Sequence, residues 1–326
     1  MITTPKFWYS PGGFGRLLAI ALTPASLLWR LAAGLKARMA TPYHPSIPVV
    51  VVGNLTAGGT GKTPLVAALA KAMAASRPVI LTRGHGGRIT GPHLVTGDDT
   101  AADIGDEAKW LSGKTPVVVA RHRGDGARWI ETHLPDCQIV IMDDGLQNTT
   151  IAPHTRLAVF SGDLGAGNGK VIPAGPLRED FASGLGRVDG VIITGEDTSG
   201  LTSQLKAAGF TKPVMTASRA LDADTLSALT RPVIAFAGIG HPQGFVNMLL
   251  AAGVEVVTAV HFPDHHPFSD DNIAALKREA AEHNALLVTT EKDLTRISGA
   301  DRDGITAIPL TTRIDGRLMD IMPKRR

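Results

Sequence analysis

The sequence predicts an α/β fold: a parallel sheet with helices on both faces, a second, smaller α/β domain after it, and an apolar helix before it. Three observations carry this. Six short apolar runs, "IPVVVVG", "PVILT", "PVVVA", "QIVIM", "RLAVF" and "GVIIT", recur between residues 47 and 194, with helix-like stretches between several of them. Continuous apolar runs of strand length suit strands covered on both faces, as in parallel sheets. The pattern restarts at "RPVIAFAGIG" and continues through "VEVVTAV" and "ALLVTT", with helical stretches near Pro242 to Ala252 and Ser269 to His283. The N-terminal stretch "FGRLLAIALTPASLLWRLAAGLKAR" is strongly apolar. The resulting division is 1–40 for the apolar and basic segment, 41–225 for the core and 226–326 for the smaller domain. The polar stretch "TASRALDADTLSALT" is the expected loose junction.

The N-terminal segment comes first in the chain. Its charge-free part, Leu17 to Trp29, has 13 residues, fewer than the roughly 20 needed to span a bilayer. It contains Pro24 and is bracketed by Arg16 and Arg30. Ten basic residues and no acidic one precede Asp98, against 23 basic and 30 acidic residues after it, so a net charge of +3 hides a strongly basic N-terminal part. Such a face meets an anionic partner, nucleic acid or anionic lipid. The apolar segment selects the lipid: an interfacial helix lying on an anionic membrane surface, with Phe7 to Tyr9 as an aromatic anchor. No nucleic acid and no protein partner are expected.

The run "VVVVGNLTAGGTGKTP" follows. In the phosphate-loop pattern G-x-x-x-x-G-K-[ST], Gly61, Lys62 and Thr63 fill the last three places, while Thr56 stands at the first glycine position. Valines before it and "PLVAALAKAMAA" after it supply the strand and helix the loop requires, making the core NTPase-like. Residues Thr56, Ala57, Gly58, Gly59, Thr60, Gly61, Lys62 and Thr63 are the expected cradle. Lys62 reaches the β- and γ-phosphates and Thr63 holds Mg²⁺. A second Gly-Lys pair, Gly169-Lys170, is followed by Val171, which has no hydroxyl for a metal, and reads as a loop.

A phosphate loop also needs an aspartate at the end of a neighbouring strand. "QIVIMDDGLQ" offers Asp143 and Asp144, two adjacent carboxylates that are costly beyond a buried strand unless a cation compensates them. "IGDEAKWL" puts Asp106 and Glu107 in a first helical turn, which the helix dipole alone would favour. "HFPDHHPFSDDN" clusters His261, Asp264, His265 and His266, an imidazole and carboxylate set suited to proton transfer. Pro263 and Pro267 prevent a helix that would align these histidines for zinc. "LTRGHGGR" offers Arg83 and Arg88 to an anionic substrate. "TTEKD" lacks the Asn of a guanine-reading motif and does not support a GTPase. The single Cys137 excludes an intramolecular disulfide and reads as a buried thiol.

Taken together, "VGNLTAGGTGKTP", "RGHGG", "GDE", "DDGLQ", "PAGPLRE", "FPDHHPF" and "TTEKD" occur in the order seen in the tetraacyldisaccharide 4'-kinase family of lipid A biosynthesis, which this chain resembles from Phe7 to Asp293. Thr56 resembles that family's own form of the loop. The resemblance implies transfer of the ATP γ-phosphoryl group to the 4'-hydroxyl of a tetraacylated disaccharide 1-phosphate, giving lipid IVA at the cytoplasmic face of the inner membrane. It further implies Asp106 as the base, working with His265, or with His266 as the alternative. Arg178 and Glu179 become neighbours of the site, Glu179 near the metal. A different class of function, a membrane-recruited ATPase switch acting on a protein partner, would explain the loop and the aspartates but leave "GDE" and "DHH" idle.

Overall fold

The computed structural model describes residues 5–9, 12–58, 61–240, 242–264 and 266–323. Two helices, α1 (Phe14–Ala21) and α2 (Thr23–Met39), meet at a bend of 45°. Strand β1 (Val49–Gly53) and helix α3 (Lys62–Ala72) then flank the glycine loop. The core continues through β2 (Pro78–Thr82), β3 (His93–Leu94), α4 (Ala101–Ile104), α5 (Asp106–Ser112), β4 (Val117–Val119), α6 (Arg123–His133) and β5 (Ile139–Asp143). After it come β6 (Thr155–Ser161), α7 (Phe181–Arg187), β7 (Gly190–Thr194), α8 (Leu201–Ala207) and β8 (Val214–Leu221). All six apolar runs are strands.

These strands form one nine-stranded sheet in the order β13-β8-β7-β6-β1-β5-β2-β4-β3, where β13 is Leu310–Ile314. β1 pairs in parallel with β5 on one side and β6 on the other. The chain therefore changes direction across the sheet at β1, and the crevice beyond its carboxyl end is where ligands bind in open α/β sheets. Val49 and Val51 join one buried cluster, and Val50 and Val52 the other, so the valine run feeds both helical layers. Alternate side chains of a strand point to opposite faces, which is why both faces had to be apolar.

The second sheet has four parallel strands in the order β10-β9-β11-β12. After α9 (Ala223–Ser227), it is built from β9 (Val233–Ala237), α10 (Pro242–Ala251), β10 (Val256–His261), α11 (Asp270–Glu282), β11 (Leu286–Thr290), α12 (Glu291–Leu294) and β12 (Ile305–Ile308). Ser269 and Asn272 exchange side-chain and backbone hydrogen bonds in a capping box that starts α11.

Two expectations change here. The stretch read as a loose junction is β8 and α9, because Met215, Ala217 and Leu221 are buried between exposed polar neighbours, a strand whose alternation hides in a polar composition. The final strand β13 pairs antiparallel with β8, so the segment 226–326 is shared between the two sheets. The aromatic anchor also differs. Trp8 is buried and donates its indole N–H to the Pro173 carbonyl at 3.0 Å, while the Tyr9 hydroxyl reaches the Ala57 carbonyl at 3.5 Å. Trp8 is thus taken into the protein interior, while Phe7 and Tyr9 are half-buried.

Candidate active site

The glycine loop lies beyond β1, closed by Asn54, whose Nδ2 donates to the Gly58 carbonyl at 3.3 Å. Gly61 caps α3 in the left-handed region, with φ +74°. Thr56 is buried in an isolated antiparallel bridge with Leu177. Its neighbours make the same link, Ala57 N donating to Pro176 O and Arg178 N to Leu55 O, each at 2.7 Å. Extended backbone suits a β-branched residue, so no glycine is required at that position. Thr63 lies in the first turn of α3. Gly59 and Thr60 fall outside the described residues.

Around the loop the structure gathers Lys62, Asp143, Asp144 and Arg178. Lys62 Nζ lies 3.5 Å from Asp144 Oδ1. Arg178 Nη1 reaches both Asp144 oxygens, at 3.0 and 3.2 Å, and Gln147 Oε1 at 3.2 Å. Burial works against the charge on Asp144, but Lys62 and Arg178 outweigh it and hold its carboxyl below the ordinary value. At Gly53 an added Cβ would sit 2.8 Å from Leu146 Cγ, so the bare backbone at the end of β1 is what lets "DDGLQ" lie across it.

Asp143 differs from its neighbour. Its carboxyl is buried and Oδ1 has no hydrogen-bond partner. Desolvation, then the negative charge of Glu107, push its pKa up to about 7 against the opposing pull of Lys62. A buried, unsatisfied carboxylate oxygen at a strand end fits a hard cation. Among the described residues no group of three His, Cys, Asp or Glu side chains forms a cage. That donor set suits Mg²⁺, which keeps waters and phosphate oxygens beside one or two carboxylates. Glu179 is spent elsewhere: Gln147 Nε2 donates to Oε1 at 2.9 Å and Arg187 pairs with Oε2. It braces Gln147, which in turn donates to the Asn54 carbonyl at 3.1 Å.

Asp106 opens α5 and lies at the joint between the two lobes. Its Oδ2 is 3.2 Å from Arg296 Nε, contributed by the second lobe. Two further ion pairs cross beside it, Lys292 with Glu107 at 3.9 Å and Lys114 with Glu291 at 2.8 Å. His266 pairs with Asn272 Oδ1 at 2.9 Å and stacks on Phe262, inside the second lobe. His265 lies outside the described residues.

Three arginines of the site have no place in the sequence reading. Arg123 is buried near Asp143 and Asp144; desolvation lowers its pKa to about 10, and the two carboxylates partly restore it. Arg219 on β8 lies against the loop, close enough that a Cβ on Gly61 would be 1.7 Å from its Nη2. Arg296 follows "TTEKD" by three residues. The signal for Arg123 was "RHR" directly after a strand; the other two depend on contacts far apart in the chain.

The apolar pair α1 and α2 packs beside this site. Ser26 donates to the Val171 carbonyl at 2.7 Å, and Trp29 Nε1 to the Arg178 carbonyl at 3.1 Å. The opposite side carries exposed Phe14, Leu17, Leu28, Leu31, Leu35 and Met39. No single helix among the described residues is long and apolar enough to cross a membrane.

Comparison with known proteins agrees along more than nine-tenths of the chain. The tetraacyldisaccharide 4'-kinase of Bradyrhizobium sp. strain BTAi1 is 43% identical over 319 residues, covering 94% of this chain and 90% of its own. That of Rhodospirillum centenum is 42% identical, covering 94% and 91%. The fold is similar to a crystal structure described as the "apo" form of LpxK from Aquifex aeolicus in complex with ATP, with a TM-score of 0.74 and 24% identity over 93% of this chain and 97% of that one. The sequence profile that matches residues 18–325 is that of Tetraacyldisaccharide-1-P 4'-kinase, and the chain belongs to that family.

Proposed function

We propose that this protein transfers the γ-phosphoryl group of ATP to the 4'-hydroxyl of a tetraacylated disaccharide 1-phosphate, at the cytoplasmic face of the inner membrane. The observation that carries the proposal is that α1 and α2 pack beside the phosphate-loop site through the Trp29 contact with Arg178 while their other side leaves apolar side chains exposed. A kinase with this arrangement works on an acceptor whose acyl chains lie in lipid while its sugar reaches the nucleotide. Basic Arg16, Arg30, Lys36 and Arg38 on the same segment add attraction to anionic headgroups.

Each residue then has a role. Lys62 neutralises the β- and γ-phosphates, and the loop amides with the α3 N-terminus cradle them. Thr63 and Asp143 would hold Mg²⁺, with Asp144 beside them, and the ion would supply charge neutralisation on the transferring group. Asp106 accepts the proton of the sugar hydroxyl, oriented by His265 of the second lobe. Nucleotide binding draws the lobes together, because Lys62 and the base-orienting loop come from different sheets. Family membership favours this kinase over an ATPase switch.

The test is transfer of labelled γ-phosphate from ATP to tetraacyldisaccharide 1-phosphate in detergent micelles, with Lys62→Ala as control. Product labelled at the 4'-position, and lost in the control, supports the reading. Hydrolysis without lipid labelling would overturn it in favour of a switch.

A further inference from the structure

The "TTEKD" turn has no role in the reaction as described so far, yet it builds a buried site. Thr290 caps α12: its Oγ1 donates to Asp293 Oδ2 at 2.7 Å and accepts from Asp293 N at 3.1 Å. Asp293 is fully buried, and its Oδ1 accepts from Gly238 N at 3.1 Å. One helical turn later Arg296 presents its guanidinium to the same carboxylate, with Nη2 3.0 Å from Asp293 Oδ1.

From that point the guanidinium reaches three other segments. Its Nη1 donates to the Gly238 carbonyl at 3.0 Å and to the His266 carbonyl at 3.3 Å, which ties the histidine loop to the end of β9. Its Nε lies 3.2 Å from Asp106 Oδ2 on the other lobe. The Nη1 contacts are hydrogen bonds; those to Asp106 and Asp293 are ion pairs by distance, without hydrogen-bond alignment. The side chain is only 6% exposed. Of the three ion pairs seen across this joint among the described residues it is the most deeply buried, so solvent screens it least.

We propose that Arg296 is a positioning residue for the phosphoryl transfer, holding Asp106 of the first lobe and the histidine loop of the second in one frame. The proposal rests on Asp106 being the base. Burying a guanidinium is costly unless it is paired and hydrogen-bonded, and lobe docking alone could be served by apolar contacts. A planar guanidinium whose Nη1 is hydrogen-bonded to two carbonyls holds its charge at a set distance from both carboxylates, a placement the single flexible ammonium of a lysine does not reproduce. Small displacements of a reacting group cost on the order of 10²-fold in rate. The "TTEKD" turn thus acts as the mount that aims Arg296.

The test is a double-mutant cycle on kcat for lipid phosphorylation, using wild type, Arg296→Met, Asp106→Asn and the double variant in the full chain. If Arg296 acts through Asp106, Arg296→Met should lower kcat about 10- to 100-fold in the wild-type background, leave KM for ATP within about twofold, and cost almost nothing beside Asp106→Asn. Equal losses in both backgrounds would overturn the positioning role and leave the base reading intact. An unchanged kcat in Asp106→Asn alone would instead remove the base reading, and with it this proposal. Should Arg296→Met fail to accumulate as folded protein, Arg296→Lys enters the same cycle and is judged by the same two criteria.

Discussion

Trp29 of the apolar N-terminal pair donates its indole N–H to the main-chain oxygen of Arg178, whose guanidinium grips Asp144 beside the phosphate loop. One residue thus links the apolar helix α2 to the phosphate-loop site. Trp29→Phe removes the N–H and keeps an aromatic ring. It should raise KM for the acylated substrate several-fold, since a single such hydrogen bond is worth about 1 kcal/mol, and leave KM for ATP unchanged. Steady-state kinetics with each substrate varied in turn checks this. An equal rise for ATP would mean that the contact serves the loop instead.

The proposed membrane contact of the exposed apolar residues can be addressed separately. Leu28 and Leu31 are each 69% exposed on α2. Replacing both with Asp should abolish most co-sedimentation with anionic vesicles, because burial of each leucine contributes about 1.5–3 kcal/mol and each new charge opposes the headgroups. Retained vesicle binding in that variant would assign these helices a purely structural role.

Asp143 gives a pH-dependent stability with a definite sign. Its folded pKa, about 7, lies above the ordinary aspartate value of 3.8. The proton is therefore held more tightly in the folded state, and the stability this brings is present at low pH and lost as pH rises through about 7. Asp143→Asn should raise Tm relative to wild type at pH 8 without added metal, with the difference vanishing toward pH 4. The same variant should lose most of its kinase activity. Thermal melts across that range are the check, and a Tm difference of opposite sign would contradict the assignment.

Asp106→Asn tests the base. General-base catalysis contributes typically 10²- to 10⁴-fold, so kcat should fall by that order while ATP affinity holds. Turnover at the wild-type rate would exclude Asp106 from proton transfer.

Gly61 has φ +74°, and an added Cβ would meet Arg219 Nη2 at 1.7 Å, so the flexible end of that arginine would have to move off the loop. Gly209 has nearly the same backbone, φ +75°, with nothing within 4 Å. Gly209→Ala should therefore cost only backbone strain, about 1–2 kcal/mol, and leave nucleotide binding alone. Gly61→Ala should weaken ATP binding tenfold or more by calorimetry. Similar affinities for both variants would show that the loop tolerates the displacement.

Much of this protein is local in origin and could be read from the chain. The valine run before Gly53, its five counterparts and the Gly-Lys-Thr triplet specify strand, loop and helix because their signals lie within a few residues of one another. The same holds for the aspartates after β5 and the acidic first turn of α5. Tertiary structure decided what depends on residues far apart. Strand β8 hides in a polar stretch because only its buried alternate positions, set by neighbours in the sheet, reveal it. The return of β13 to the first sheet leaves no local mark. Trp8 is apolar wherever it sits, and only the fold decides that it faces protein. Arg296 sits 190 positions from Asp106, and a charge on one lobe acquires meaning only when the other lobe brings a carboxylate within 3.2 Å of it. Periodicity and short motifs record what a segment prefers by itself; the partners of buried charges are fixed by packing, through desolvation that no single segment can express.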